Sequence, residues 1–545
     1  MRRWPTNSPA RGGGQWTRRE RTLRRILLGL PVMVVVLLWA MHWVHLSADF
    51  PNDSPWMDYA KYTDEGWYGN AAMRALLFGH WFFPGDFNPA VALPVWPALE
   101  WLAFRVAGVS VDVARGLALV VFAANLVMSY VLLRQAGAGR RYCFGGVLLL
   151  AASMYLWAFS RLAILEPMLT FWILAAWLLA GWLPRLQDRQ RMLALAGVGA
   201  LSSIAVLTKT TAVFLLPATA ALLVMAQRTS STGFSRRLRA GLQDTAVVVA
   251  CGATIWGAYF LWAVHAHALD YHYLFAANQW DPPHGLIAHA MAFWWAVHGL
   301  LWVSPLLVCL MLLLVVVALV ASPAFRRLPL VWASLLAIAG YVFFIGWHNS
   351  PQPRYYMVLA YPVVFLTMLA LRVITTDSRA RLGAWPAVTC GALLGWIFAV
   401  NCYYSVTYAL HPQYSLRAAA EGLTAYIHAH QESQPDSLSV HGAAFLRGAP
   451  LLMSISGDDI TLFTGQPAIC DDFGTDTLPD RIGRYRPQWY AEWNEVDPGT
   501  LDDIHAAGYR LEFAAHWHAL DDEDRNDLVL YRMVRVPGSE RAKDP

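Results

Sequence analysis

The sequence predicts a polytopic α-helical membrane protein of about 11 spans followed by a small C-terminal α/β domain, and three observations predict it. Of the 545 residues, 57% are hydrophobic and only 14% are charged, roughly half the charge fraction of an ordinary soluble domain. About 11 apolar stretches of roughly 17 to 25 residues, each long enough to cross a bilayer as a helix, occupy residues 26 to about 405. Charge is divided unevenly: residues 1–405 carry 30 Lys and Arg against 15 Asp and Glu, whereas residues 406–545 carry 11 against 22. A soluble enzyme is excluded.

The elements follow in order. Eight arginines lie in the first 25 residues, including the run RRERTLRR, ahead of an apolar span from Ile26 to about Leu46. Positive residues hold short loops on the cytoplasmic side, so the N-terminus is expected there. The leader is long and polar and shows no small-residue cleavage site, so the first span reads as an uncleaved helix. Alternation then places the basic loops Arg134–Arg141, Arg185–Arg191, Arg228–Arg239, Arg326–Arg327 and Arg372–Arg381 inside. Outside fall the Arg- and Lys-poor segments 48–111, 160–167, 207–210, 266–290 and 348–355. After an eleventh span, at about 385–405, the acidic tail also emerges outside.

Residues 406–545 are enough for a core of their own. Strand-like runs at Ser437–Phe445, Ile460–Phe463, Tyr509–Ala514 and Leu528–Val536 alternate there with polar helical segments. The expected division is therefore a cytoplasmic basic terminus (1–25), a transmembrane body (26–405) with a first outside loop at about 48–111, and an extracytoplasmic α/β domain (406–545). No P-loop or internal repeat is evident, which argues against a primary pump. The six cysteines include no C-x-x-C pair, so no metal or redox framework is expected. A Cys402–Cys470 bridge is the alternative if both lie in an oxidising compartment.

Ionisable groups near membrane depth are costly and are usually functional or paired. Asp64 and Glu65 are adjacent in the first outside loop, and Glu166 heads the fourth span with Arg161 five residues before it. Two acids reaching one cavity suit general-base work, one taking a proton and the other restraining it; the plainer alternative is that each caps a helix N-terminus. Lys209, one of only three lysines, sits at the outside junction of the fifth and sixth spans, and Arg354 starts the tenth. Either cation can bind a lipid phosphate, or simply snorkel to headgroups. The loop holding His265, His267, Asp270, His272 and His284 is rich in possible ligands, but the i, i+2 spacing of its first histidines suits opposite helix faces, so no metal is expected. The many Trp and Tyr read mostly as an interfacial belt.

The motif order resembles the GT-C polyprenyl-phosphate-sugar glycosyltransferases, particularly bacterial relatives of the protein O-mannosyltransferases and of the lipid A aminoarabinose and galacturonic acid transferases. TDEGWYGNAA is similar to the family's Asp-Glu motif, GVSVDVARGLAL to the glycine and arginine entering the second span, and SRLAILEPMLTFW to the Arg-acid motif before the fourth. TKTTAVFLLP resembles its lysine-containing turn and PQPRYYMVLAYPVVFL its arginine-tyrosine helix, so the matches span residues about 26 to 372. The tail's DRIGRYRPQWY resembles a segment of relatives with an outside C-terminal domain. Two departures stand out: where aminoarabinose transferases carry a lysine followed by two prolines, ALPVWPALEW has no lysine, and Glu166 stands where aspartate is common.

The resemblance implies a GT-C-like inverting transferase in the inner or plasma membrane, moving a sugar from a polyprenyl-phosphate donor to an extracytoplasmic glycan, lipid or protein. It implies Asp64 as the base with Glu65 and Glu166 as its acidic partners, and Lys209, Arg161 and Arg354 as donor-phosphate contacts. No cofactor, metal or nucleic acid is expected. The rivals are a transporter or flippase of a lipid-linked precursor, which calls for broken helices and related halves that the sequence does not display, and a non-catalytic envelope assembly protein.

Overall fold

The computed structural model describes residues 18–225, 227, 234–277, 283–349, 351–377, 385–430, 450–519 and 525–537. The expected strand Ser437–Phe445, most of the arginine leader and parts of the loops at 228–239, 266–290 and 372–381 lie outside the described residues.

Helix α1 (Arg18–Met41) leads into the first loop, which carries α2 (Asp64–Leu77) and α3 (Val95–Ala107). The body continues with α4 (Val111–Gln135), α5 (Arg140–Ala152), α6 (Met154–Phe159), α7 (Leu165–Trp182), α8 (Asp188–Thr208), α9 (Leu216–Met225) and α10 (Phe234–Ala277). It closes with α11 (Leu286–His298), α12 (Pro305–Ala321), α13 (Pro323–Arg326), α14 (Pro329–His348), α15 (Met357–Asp377) and α16 (Trp385–Leu410). Among the described residues seven helices are long and apolar enough to cross a membrane. An eighth span results if α11 and α12, bent by 106° to one another, are taken together. The other three stretches of the eleven expected are shorter or interrupted, at Gly29–Met41, Thr210–Met225 and Arg140–Phe159, the last broken where Ser153 leaves helical geometry and caps α6 through Leu156 N (3.2 Å).

The break between α11 and α12 corrects the expectation of unbroken spans. Ser304 is extended (φ 177°, ψ 113°) and precedes Pro305. Proline disfavours helical geometry in the residue before it and supplies no N–H, so the chain turns instead of continuing one rod.

The span that begins at Pro353 and includes α15 is the centre of the body: 94% of its most apolar window is buried. The α10 span is peripheral, and Leu261, Leu269, Leu286, Ile287 and Val320 on the outer surface are more than two-thirds exposed. That much contiguous apolar surface suits lipid, not water. The chain is a multi-pass membrane protein.

The tail begins with α17 (Ser415–Ala429) and forms a five-stranded mixed sheet of order β2-β1-β3-β5-β4. The strands are β1 (Leu452–Met453), β2 (Ala468–Ile469), β3 (Trp489–Trp493), β4 (Tyr509–His518) and β5 (Asp527–Arg535). The first three pair in parallel and β5 is antiparallel to both β3 and β4. Two expected strands fall on β4 and β5. The run Ile460–Phe463 instead lies in helix α18 (Gly457–Thr464), because Gly465 takes the left-handed C-terminal position (φ +77°) and two acids fill the first turn. Helices α19 (Leu478–Tyr485) and α20 (Pro498–Ala506) complete the tail.

Candidate active site

The loop between α1 and α4 supplies Asp58 and Asp64, and the body supplies Glu166 and both cations. Asp58 caps the short turn Tyr59–Lys61, accepting from Ala60 N at 2.9 Å, and two residues after that turn α2 starts at Asp64. Both carboxylates converge on Arg354, which lies just ahead of α15 and is buried. Its backbone N–H donates to Asp58 Oδ2 (2.8 Å), its Nη1 pairs with Asp58 Oδ1, and its Nε lies 2.9 Å from Asp64 Oδ2. A second pair stands beside the first: Lys209, between α8 and the turn after it, donates to Glu166 in the first turn of α7. Tyr355 links the two, with Lys209 Nζ 4.4 Å and Arg354 Cζ 5.1 Å from its ring centre.

The charged members of this group are nearly inaccessible: Asp64 is 2% exposed and Glu166 0%. Among the described residues Glu166 Oε2 has no hydrogen-bond partner. A buried lone pair left open is expensive, so the position is suited to a donor arriving with a substrate. Burial also lifts the Asp64 carboxyl from its ordinary 3.8 to about 6; Arg354 and Lys209 oppose that rise, and Asp58 and Glu166 add to it. The group is thus ionised near neutrality and poised to accept a proton.

ArnT from Cupriavidus metallidurans, solved bound to undecaprenyl phosphate, is 15% identical to this chain, with a TM-score of 0.60 over 95% of this chain and 99% of that one. The Archaeoglobus fulgidus oligosaccharyltransferase, solved in complex with Zn and sulfate, is 11% identical, with a TM-score of 0.53 over 92% of this chain and 73% of that one. The chain has the fold of these two structures. Mycobacterial arabinofuranosyltransferase AftD is a further match, 13% identical with a TM-score of 0.50 over 94% of this chain and 40% of that one. The family model of the dolichyl-phosphate-mannose-protein mannosyltransferases matches residues 103–230. No curated protein matches the chain in sequence.

Within this fold, four of the six residues singled out from sequence meet: Asp64, Glu166, Lys209 and Arg354. The other two do not join them. Glu65 turns to Arg115 of α4 in a two-pronged pair (Nε to Oε1 2.8 Å, Nη2 to Oε2 2.6 Å) and accepts from Ala163 N at 2.7 Å. Adjacent residues on a helix point about 100° apart, so both acids of the motif could not serve one pocket. Arg161 donates to the carbonyls of Val44 (3.1 Å) and His45 and lies over the Trp157 ring at 4.1 Å, tying the end of the first span to the turn before α7.

Asp58 and Tyr355 were not singled out from sequence. Asp58 stands alone in an aromatic stretch with no periodicity to mark it; Tyr355 could have been suspected from its place beside Arg354. The histidine-rich segment is used structurally. Its His267 lies at a kink in α10, 3.8 Å from Asp270, whose Oδ1 accepts from Asn88 at 2.9 Å. Among the described residues no group of three or more His, Cys, Asp or Glu is arranged to hold a metal ion.

The tail lies on α2. Gly66 donates its backbone N–H to Asp459, Asn70 Nδ2 donates to Asp458 Oδ2 (3.0 Å), and Arg74 Nη2 reaches both Asp86 (2.8 Å) and Asp458 (3.2 Å). A side chain on Gly66 would overlap the backbone of Asp458 and Asp459, so only glycine permits this approach. The helix that begins with Asp64 is therefore clamped by the C-terminal region.

Proposed function

We propose that the chain is an inverting membrane glycosyltransferase that moves a hexosyl or pentosyl group from a polyprenyl-phosphate donor to an extracytoplasmic acceptor. The observation that carries this reading is the buried cluster in which Asp64 meets Arg354 beside the Lys209–Glu166 pair, a base and two cations inside the GT-C fold. The donor class is supported by the undecaprenyl phosphate in the ArnT structure.

Without donor, each cation is held by carboxylates. An incoming lipid phosphate offers Lys209 and Arg354 a competing anion, and drawing Arg354 towards it frees Asp64. Asp64 then takes the proton of the acceptor hydroxyl as that oxygen attacks the anomeric carbon from the face opposite the phosphate. The carbon–oxygen bond to the phosphate breaks, its electron pair leaves with the lipid phosphate, and the configuration inverts. Charge on the leaving phosphate grows in the transition state, so the two cations stabilise it more than the ground state. Glu65 and Arg161 act by holding the loop and the first span in place. No metal participates in this scheme, and transfer is expected to persist in a chelator.

The division into a cytoplasmic terminus (1–25), a catalytic membrane body (26–405) and an extracytoplasmic domain (406–545) belongs to the same proposal. The deciding test is transfer in reconstituted membranes from a panel of radiolabelled polyprenyl-phosphate sugars, with envelope extract as acceptor. Label should move from one donor with the native protein and not with Asp64→Asn. A folded native protein that moves label from none of them would turn the reading to transport or assembly.

A further inference from the structure

The tail contains a cavity of about 860 Å³ that the membrane site does not use, a size within the ordinary range of ligand clefts. Seven carboxylates and two arginines line it. The two guanidinium charges leave a wall of seven carboxylates anionic. Arg481 directs its terminal nitrogens to the carbonyls of Cys470, Phe473 (2.5 Å) and Asp471 (2.9 Å), and Arg525 lies 5.0 Å from the ring centre of Tyr59 and 4.9 Å from that of Tyr62.

Two buried polar atoms on the cavity wall have no hydrogen-bond partner among the described residues: Oδ1 of Asp471, a residue 6% exposed, and Nε of Arg481, a residue 2% exposed. An open acceptor and an open donor on one wall are what a polyhydroxylated ligand satisfies. Glu492 stands beside Asp471, and burial followed by this neighbour pushes the Asp471 carboxyl well above its ordinary range, a strain that a bound cation relieves. Tyr59, 42% exposed, contributes aromatic surface, on which sugar rings stack.

We propose that this cavity binds a cationic carbohydrate, a glycan segment carrying amino groups as well as hydroxyls, and that it serves as an acceptor subsite. The geometry ties it to the membrane cluster: Tyr59 on its wall opens the turn capped by Asp58, and Asp58 pairs with Arg354. Its role in acceptor capture rests on the transferase reading, whereas glycan binding itself does not.

Binding is measured calorimetrically on the full chain in lipid nanodiscs, with a glucosamine tetrasaccharide, its N-acetylated counterpart and glucose 6-phosphate as probes. The glucosamine probe should bind saturably and more weakly as salt rises. The neutral probe should bind at least several-fold more weakly, and the phosphorylated sugar not at all. Asp471→Asn should weaken glucosamine binding about tenfold; Glu495→Gln, a change at an exposed position on the wall, should weaken it several-fold even if the buried variant fails to fold. Asp64→Asn should bind the probe as the native chain does, so loss of transfer and loss of this site are read separately. Equal binding of neutral and cationic probes, binding unchanged in Glu495→Gln, or no saturable binding of the glucosamine probe would each overturn the proposal.

Discussion

Asp64 and Glu65 share a motif but have opposite environments, and the difference lies in what each carboxylate meets. Glu65 accepts three hydrogen bonds, two of them from Arg115, and is spent on structure. Asp64 is left with one guanidinium contact, and burial lifts its carboxyl to about 6. A base must be deprotonated to act, so kcat/KM is expected to rise with pH through about 6 and to level above it; a profile flat from pH 5 to 8 in a rate-limiting transfer assay would remove Asp64 from that role. Asp64→Asn should lower transfer on the order of a thousandfold, within the usual range for a lost general base. Lys209→Met leaves Glu166 as an uncompensated buried charge and should cost about 3–5 kcal/mol of stability. The double variant Lys209→Met/Glu166→Gln should recover most of that loss in thermal unfolding while still using the phospholipid donor poorly. Recovery of donor use as well would reduce the pair to a structural tie.

Helix α2 connects the two halves of the molecule. Its first residue faces the membrane cluster and its third, Gly66, touches the backbone of α18. Gly66→Ala forces the two apart, and overpacking of this kind costs roughly 1–3 kcal/mol. Because Asp64 lies two residues away, the same change should lower kcat more than it raises KM for the donor; an unaltered kcat with a lower melting temperature would show that the clamp supports stability alone. The strand expected at Ile460–Phe463 failed for a reason visible at this scale. A four-residue apolar run has no decisive period, and the acids before it together with Gly465 after it favour a short helix.

At the scale of the whole molecule, the body is organised around the span that includes α15, with lipid-facing helices outside it and the acidic tail laid over the first loop. Cysteines placed at residue 10 and at residue 500 of a cysteine-free variant should label from opposite sides of sealed vesicles, residue 500 from the extracytoplasmic side. Labelling of both from one side would reverse or break the proposed topology. The acidic excess of residues 406–545 is partly met from the first loop by Arg74, which reaches Asp458, and seven of the tail's carboxylates gather around the cavity.

The membrane class, the approximate spans and four members of the central cluster were legible in the sequence, because a bilayer admits only self-satisfied backbone and makes every stray charge conspicuous. An isolated Lys209 or Glu166 in apolar surroundings marks itself. The partners of those charges were not legible. Asp58 and Arg354 are separated by 296 residues, and Gly66 and Asp459 by 393. Only the tertiary structure decided that Glu65 pairs with Arg115 and Arg161 with the carbonyls of Val44 and His45, that Asp58 joins Asp64, and that the tail clamps α2. Hydropathy records what each segment must avoid, namely water or lipid; which charge pairs with which depends on how helices distant in sequence pack, and that is settled only when the chain closes on itself.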